Sequence, residues 1–156
     1  MNELKERFEA VQCSLMDLID TINDQHKGGV DFGTGHRLYP AEIHTIEAIG
    51  DSPEITVTRL AERMGVSKPT ISERINKLSR KGLVSKGTKA GDAKAVPLCL
   101  TESGNAAYKG HADHHQQMFD LFVGKYGDDA EAVLRKFSFA FKEMRELAVE
   151  FSCKKG

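Results

Sequence analysis

The sequence predicts a mainly α-helical chain with one small β-hairpin, and three observations carry that prediction. Apolar residues recur at helical spacing through most of the 156 residues. Breakers are scarce, with four Pro in the whole chain, so long helices are permitted. Between residues 56 and 100 the helical rhythm gives way once, to two β-prone runs separated by a Gly- and Lys-containing turn.

The elements follow in order. Leu4, Phe8, Val11, Leu15, Leu18, Ile19 and Ile22 place an amphipathic helix over residues 3–25. The stretch GGVDFGTG, residues 28–35, predicts a loop. Its glycines make no phosphate cradle, because no strand precedes them and no Lys-Ser/Thr follows. Pro40 opens a helix that runs through Ile49 with Ile43, Ile46 and Ile49 inward. Leu60, Ala61 and Met64 form the stripe of a short helix that Gly65 ends, and Val66 is expected to fill the gap to the next one. Ser67 is a good N-cap, Pro69 sits in the first turn, Ile71, Ile75 and Leu78 face inward, and Gly82 stops the helix. Residues 83–85 and 95–100 predict the hairpin, with 87–91 as its turn. Thr101 caps a long helix from 102 to about 125, and Gly127-Asp128 breaks it. A last helix, 129–152, carries Val133, Leu134, Phe137, Phe141, Met144, Leu147 and Phe151.

Two helices joined by so short a Gly-containing turn, followed by a hairpin, make a winged helix-turn-helix. The fold class is therefore mainly α with a small β-wing, the reader spanning residues 40–101 of a single 1–156 domain. With Ile71 and Ile75 inward, Pro69, Ser72, Glu73, Asn76, Lys77 and Arg80 turn outward. Ser67, Lys68 and Thr70 stand at the start of the same helix, and Lys86, Lys89, Asp92 and Lys94 lie on or near the wing. Hydroxyls and amides bond base edges or phosphates, and cations meet phosphates or guanine. Any surface helix is polar outside, so charge decides. From 59 to 94 there are ten basic and three acidic residues, a net of +7; the whole chain is −1, leaving −8 elsewhere. A basic island in an acidic chain points to double-stranded DNA.

Leu60-Ala61-Glu62, the run Val66 to Ser72, Lys81-Gly82-Leu83-Val84, Asp92-x-Lys94 and Leu98-x-Leu100-Thr101-x-x-Gly104 resemble the MarR family of transcription regulators. The match is dense over about residues 40–105. The resemblance implies a homodimer on a palindromic operator and repression relieved or imposed by an effector. The family's wing usually carries Asp-x-Arg; Lys94 takes the Arg place here, keeping the charge and losing the planar fork.

The outer segments, 1–27 and 102–156, carry more large apolar side chains than one thin reader can cover, with Phe119, Phe122, Phe137, Phe139, Phe141 and Phe151 on more than one helical face. They are expected to be dimerisation helices, presenting two readers to a two-fold operator.

The histidines suggest what is sensed. His111 and His115, at i and i+4, share a helix face, with His114 between them, His44 on an earlier helix and His26 ending the first. Imidazoles in such a set suit zinc or another divalent metal. The layout is similar to the zinc-responsive branch of the MarR family, where His26, His44, His111 and His115 match the ligand positions; that branch tends to place a Glu where His26 stands. The alternative sensor is a thiol. Cys13 lies roughly where peroxide-sensing relatives keep theirs, but VQCSLMD has no aromatic partner, and a Cys between Val11 and Leu15 reads as a small buried hydrophobe. A small organic ligand is a third reading.

Other classes fit less well. A metal-dependent hydrolase needs an open metal position, a base and a cleft, and no residues set these out. A protein-binding winged helix leaves the +7 island unexplained. No apolar run approaches the ~20 residues of a membrane span. MNELKERFEA is unlike a signal peptide, and three scattered Cys make no disulfide framework, so a reducing cytoplasm is expected.

Overall fold

The helix-turn-helix closes because each boundary has a chemical cause. In the computed structural model, which describes residues 2–87 and 96–153, helix α3 (Val57–Met64) begins on the Thr56 hydroxyl, which accepts from the Arg59 N–H. It ends at Gly65, left-handed at φ 64°, where the N–H of Val66 reaches back to the Ala61 carbonyl at 3.1 Å. Only glycine takes that conformation without steric cost. Helix α4 (Lys68–Arg80) starts on Ser67, whose Oγ accepts from the Thr70 N–H at 3.3 Å. Val66, expected to fill the gap to the next helix, remains 36% exposed, whereas Leu60 of α3 and Ile71 of α4 are fully buried.

The remaining elements are α1 (Asn2–His26), β1 (Val30–Asp31), β2 (Arg37–Leu38), α2 (Pro40–Gly50), β3 (Val84–Lys86), β4 (Leu98–Leu100), α5 (Glu102–Tyr126) and α6 (Ala130–Cys153). A short 3-10 turn, Gly127–Asp129, precedes α6. The glycine-rich loop holds a difference from expectation: β1 and β2 pair antiparallel, Val30 opposite Leu38. The turn between them closes on the Asp31 carboxylate, which accepts from the N–H groups of Thr34 and Gly35 at 2.8 and 3.1 Å. Those bonds hold the Asp31 carboxyl below its ordinary range.

The chain divides into two compact units, Met1–Ala112 and Asp113–Gly156. In the first, α2, α3, α4, the wing base and the start of α5 enclose one core. Ile43, Ile46 and Ile49 come from α2, Leu60 and Ala61 from α3, Ile71, Ile75 and Leu78 from α4, Leu83, Val84 and Leu98 from the wing, and Ala107 from α5. The wing pairs Val84 with Leu100 and Lys86 with Leu98. Lys86 is therefore a strand residue, where the sequence had placed it in the turn. Thr101 bridges wing and helix: its Oγ1 donates to the Gly82 carbonyl at 2.6 Å and accepts from the Gly104 N–H at 3.0 Å. A Cβ on Gly104 would lie 2.0 Å from the Leu83 carbonyl oxygen, so α5 approaches the wing closely only because a glycine stands there.

The second unit comprises the rest of α5, the 3-10 turn and α6. Phe122 stacks near Tyr126, and Phe137 near Phe141. Neither α1 nor α6 buries a single residue. Leu4, Phe8 and Ile22 on α1, and Leu134, Phe139 and Leu147 on α6, stand in solvent. Cys13, expected to be a buried hydrophobe, is exposed with the rest of its helix. None of the helices is long and apolar enough, among the described residues, to cross a membrane.

Candidate nucleic-acid interface and effector site

The outward side of α4 forms as its period dictates. With Ile71, Ile75 and Leu78 buried, Lys68, Pro69, Thr70, Glu73, Asn76, Lys77 and Arg80 are exposed and Ser72 is half-buried at the edge. Ser67 and Thr70 are occupied with each other, their hydroxyls 2.8 Å apart, so the helix start is ordered before any ligand arrives.

The basic island is less uniform than its sequence suggests. Arg63 Nη2 is 2.8 Å from Asp51 Oδ2, and its Nη1 donates to Ser52 Oγ and the Ala48 carbonyl. Arg74 Nη1 donates to the buried Thr45 hydroxyl at 3.2 Å. Glu42 on α2, 3% exposed, draws in two lysines: Lys77 Nζ at 3.1 Å and Lys81 Nζ at 3.0 Å. Burial works to raise the Glu42 carboxyl, but the Tyr39 N–H and the two ammonium groups outweigh it and hold the group below its usual range. Lys77 also sits 5.5 Å from the centre of the Tyr39 ring. The sequence assigned Lys77 to DNA; its nearest anion is within the chain. These cations were counted as surface charge because their partners lie far away in sequence. Among the described residues, Lys68, Lys77, Arg80 and Lys86 are exposed cations on and beside the outward face of α4, Lys77 being the one paired with Glu42. Lys89, Asp92 and Lys94 lie outside the described residues.

A second cluster lies where α2 faces the start of α5. His111 is 5% exposed, its Nδ1 3.7 Å from Glu47 Oε1. The His44 ring lies 5.5 Å from the His111 ring, and Phe32, carried by the β1–β2 turn, meets it edge-on at 5.4 Å. His44 and Glu47, three apart on α2, thus reach the same imidazole. His115 follows His111 by one helical turn on α5, in the second unit, and is exposed. His26 is exposed at the end of α1, and neither it nor His44 belongs to the donor group that contains Glu47 and His111. Glu47 is the donor sequence reading missed. Its spacing from His44, one turn of the same helix, was the available signal.

Comparison with known proteins agrees with the winged-helix fold. A family model described as the MarR family matches residues 38–95. Over 132 residues the chain is 28% identical to YhjH, an HTH-type transcriptional regulator of Bacillus subtilis strain 168, covering 83% of this chain and 72% of that one. Streptococcus pneumoniae FabT, in a crystal structure with DNA, has the same fold with a TM-score of 0.69 at 23% identity, over 91% of this chain and 98% of FabT. The zinc-responsive ZitR of Lactococcus lactis gives a TM-score of 0.63 at 20% identity, over 90% of this chain and 98% of ZitR.

Proposed function

We propose that this chain, which the MarR family model matches over residues 38–95, is a cytoplasmic transcription regulator of that family that binds a palindromic operator as a homodimer. One observation carries the reading. The outward face of α4 spends none of its side chains on the core and presents Lys68, Thr70, Glu73, Asn76 and Arg80 together. Such a face fits the major groove, with Lys68 and Arg80 meeting phosphates and Asn76 a base edge. The bare apolar sides of α1 and α6 support the dimer, since two exposed helices of this length gain little from isolated helix formation.

The effector reading is a divalent metal, with zinc favoured. The residues fit it: the buried His111 imidazole and the Glu47 carboxylate 3.7 Å from it form an N/O donor pair, with the His44 ring beside them. Glu47 and His111 would hold it, joined by His115 through its i, i+4 spacing on the same helix, while His44 lies next to the pair and His26 stays outside. Bound there, a metal would supply a cross-link between α2 and α5. Glu47 and His44 then hold the helix that leads into the reader, while Phe32 shields His111 from water. The spacing of two readers in a dimer is thereby biased toward or away from the operator.

The test is DNA binding by untagged protein on duplexes selected from genomic fragments, with zinc and with chelator. The expected result is a steep fall of affinity with salt, together with a change of at least tenfold between zinc and chelator. His111→Ala/His115→Ala should abolish that change while leaving salt-dependent binding. Binding indifferent to salt sinks the DNA reading; binding indifferent to chelator sinks the metal reading alone.

A further inference from the structure

Between the C-terminal half of α4 and β3 lies a shallow groove lined by Asn76, Ser79, Arg80, Val84, Ser85 and Lys86. Within it, Lys86 Nζ approaches the side-chain carbonyl of Asn76 at 3.5 Å, and Arg80 Nε donates to the main-chain carbonyl of the same residue at 3.4 Å. Two cations thus converge on Asn76, one of them from the wing. An asparagine amide has one carbonyl oxygen and two N–H donors. The oxygen has two lone pairs; the ammonium takes one of them and draws that end of the amide toward the wing, leaving the N–H₂ end to face away from it.

That choice has a meaning in the major groove. Asparagine reads adenine with both ends of the amide, donating to N7 and accepting from N6, whereas guanine displays the acceptors N7 and O6 alone. We infer that Lys86 is a specificity-determining positioning residue: by drawing the carbonyl of Asn76 toward the wing it orients that side chain to read as a donor, which favours guanine over adenine. The inference rests on the DNA-binding reading above. It gives the base strand of the wing a part in sequence choice, in addition to any contact with phosphate.

The experiment selects operators from a random duplex library with the full-length protein, then measures binding to every single-base variant of the best site. Wild type, Asn76→Ala, Lys86→Met, Lys86→Arg and the Asn76→Ala/Lys86→Met pair are compared. Wild type should prefer guanine at one position of each half-site by about tenfold, the scale of one good base contact. Asn76→Ala should erase that preference. Lys86→Met should erode it or move it toward adenine at the same position, and the double variant should lose nothing further. Lys86→Arg, still a donor, should keep guanine. Two results overturn the assignment: Lys86→Met weakening all sequences alike with the Asn76 preference intact, or adenine at that position in wild type. A wild type that selects no site at all removes the DNA reading, and this inference with it.

Discussion

At the scale of single residues, Glu42 is the most consequential side chain outside the outward face of α4. It closes the start of α2 by accepting from the Tyr39 N–H at 3.0 Å, and it holds Lys77 and Lys81 of the reader. Glu42→Gln keeps the shape and removes the charge, so melting at pH 7 should show a loss of about 2 kcal/mol, the size expected for charge-assisted bonds in a largely buried place. The pH dependence follows from the depressed carboxyl. Its folded-state pKa lies below the ordinary 4.5, so its contribution is present in full above that pH and is lost as pH falls through the folded value. Thermal melts from pH 6 downward should therefore show the wild type losing its advantage over Glu42→Gln below about pH 4.5. An advantage unchanged at pH 3 would mean that the charge is not what holds the two lysines.

At the scale of elements, what was legible in the sequence was what is local. Thr56, Gly65, Ser67, Pro69 and Gly82 each act within four residues of the boundary they make, so α3, the turn and α4 could be read from spacing alone. The inward set Ile71, Ile75 and Leu78 was legible for the same reason. The two-residue strands β1 and β2 were not, because two residues carry no period and the bonds that close their turn come from the Asp31 carboxylate. Nor were the roles of Glu42 and Glu47. Lys81 stands 39 positions from Glu42, and His111 is further still from Glu47, so neither pairing leaves a trace in local pattern. The junction of α5 with the wing gives an element-scale prediction. Gly104→Ala forces a methyl against the Leu83 carbonyl, 2.0 Å away, and should cost about 1–3 kcal/mol by chemical denaturation, the range for an overpacked site. Gly124→Ala, with open space around it on the same helix, should be neutral or slightly stabilising.

At the scale of the molecule, the fold splits its labour between a reader with a complete core and helices that have none. Among the described residues, every one the core buries lies from Phe32 to His111. Most apolar residues of α1 and α6 are exposed, Phe8 at 56% and Phe151 at 62% among them, and the rest, Leu15, Val133 and Met144 included, are only half-buried. On the homodimer proposed here, Phe137→Glu and Phe141→Glu together should shift sedimentation from dimer to monomer and weaken operator binding at least tenfold, with the near-ultraviolet signal of the reader kept. A dimer that survives both changes would move the interface away from α6. The melting temperature of the wild type should also rise with protein concentration, since association stabilises by mass action.

The bare first helix has a consequence for the way the protein is made. Synthesis proceeds from the N-terminus, so α1 leaves the ribosome ahead of the reader that follows it, and among the described residues none of α1 is buried. The reader can close as soon as residues up to 112 have emerged, while in the homodimer proposed here α1 still waits for a second polypeptide. Newly made chains therefore carry an exposed apolar stripe for as long as the search for a partner lasts. At low expression that search is slow, and the lone chain is the form that chaperones and proteases meet. The abundance of such a regulator would then fall faster than its rate of synthesis, which sharpens the threshold at which its operators are left vacant.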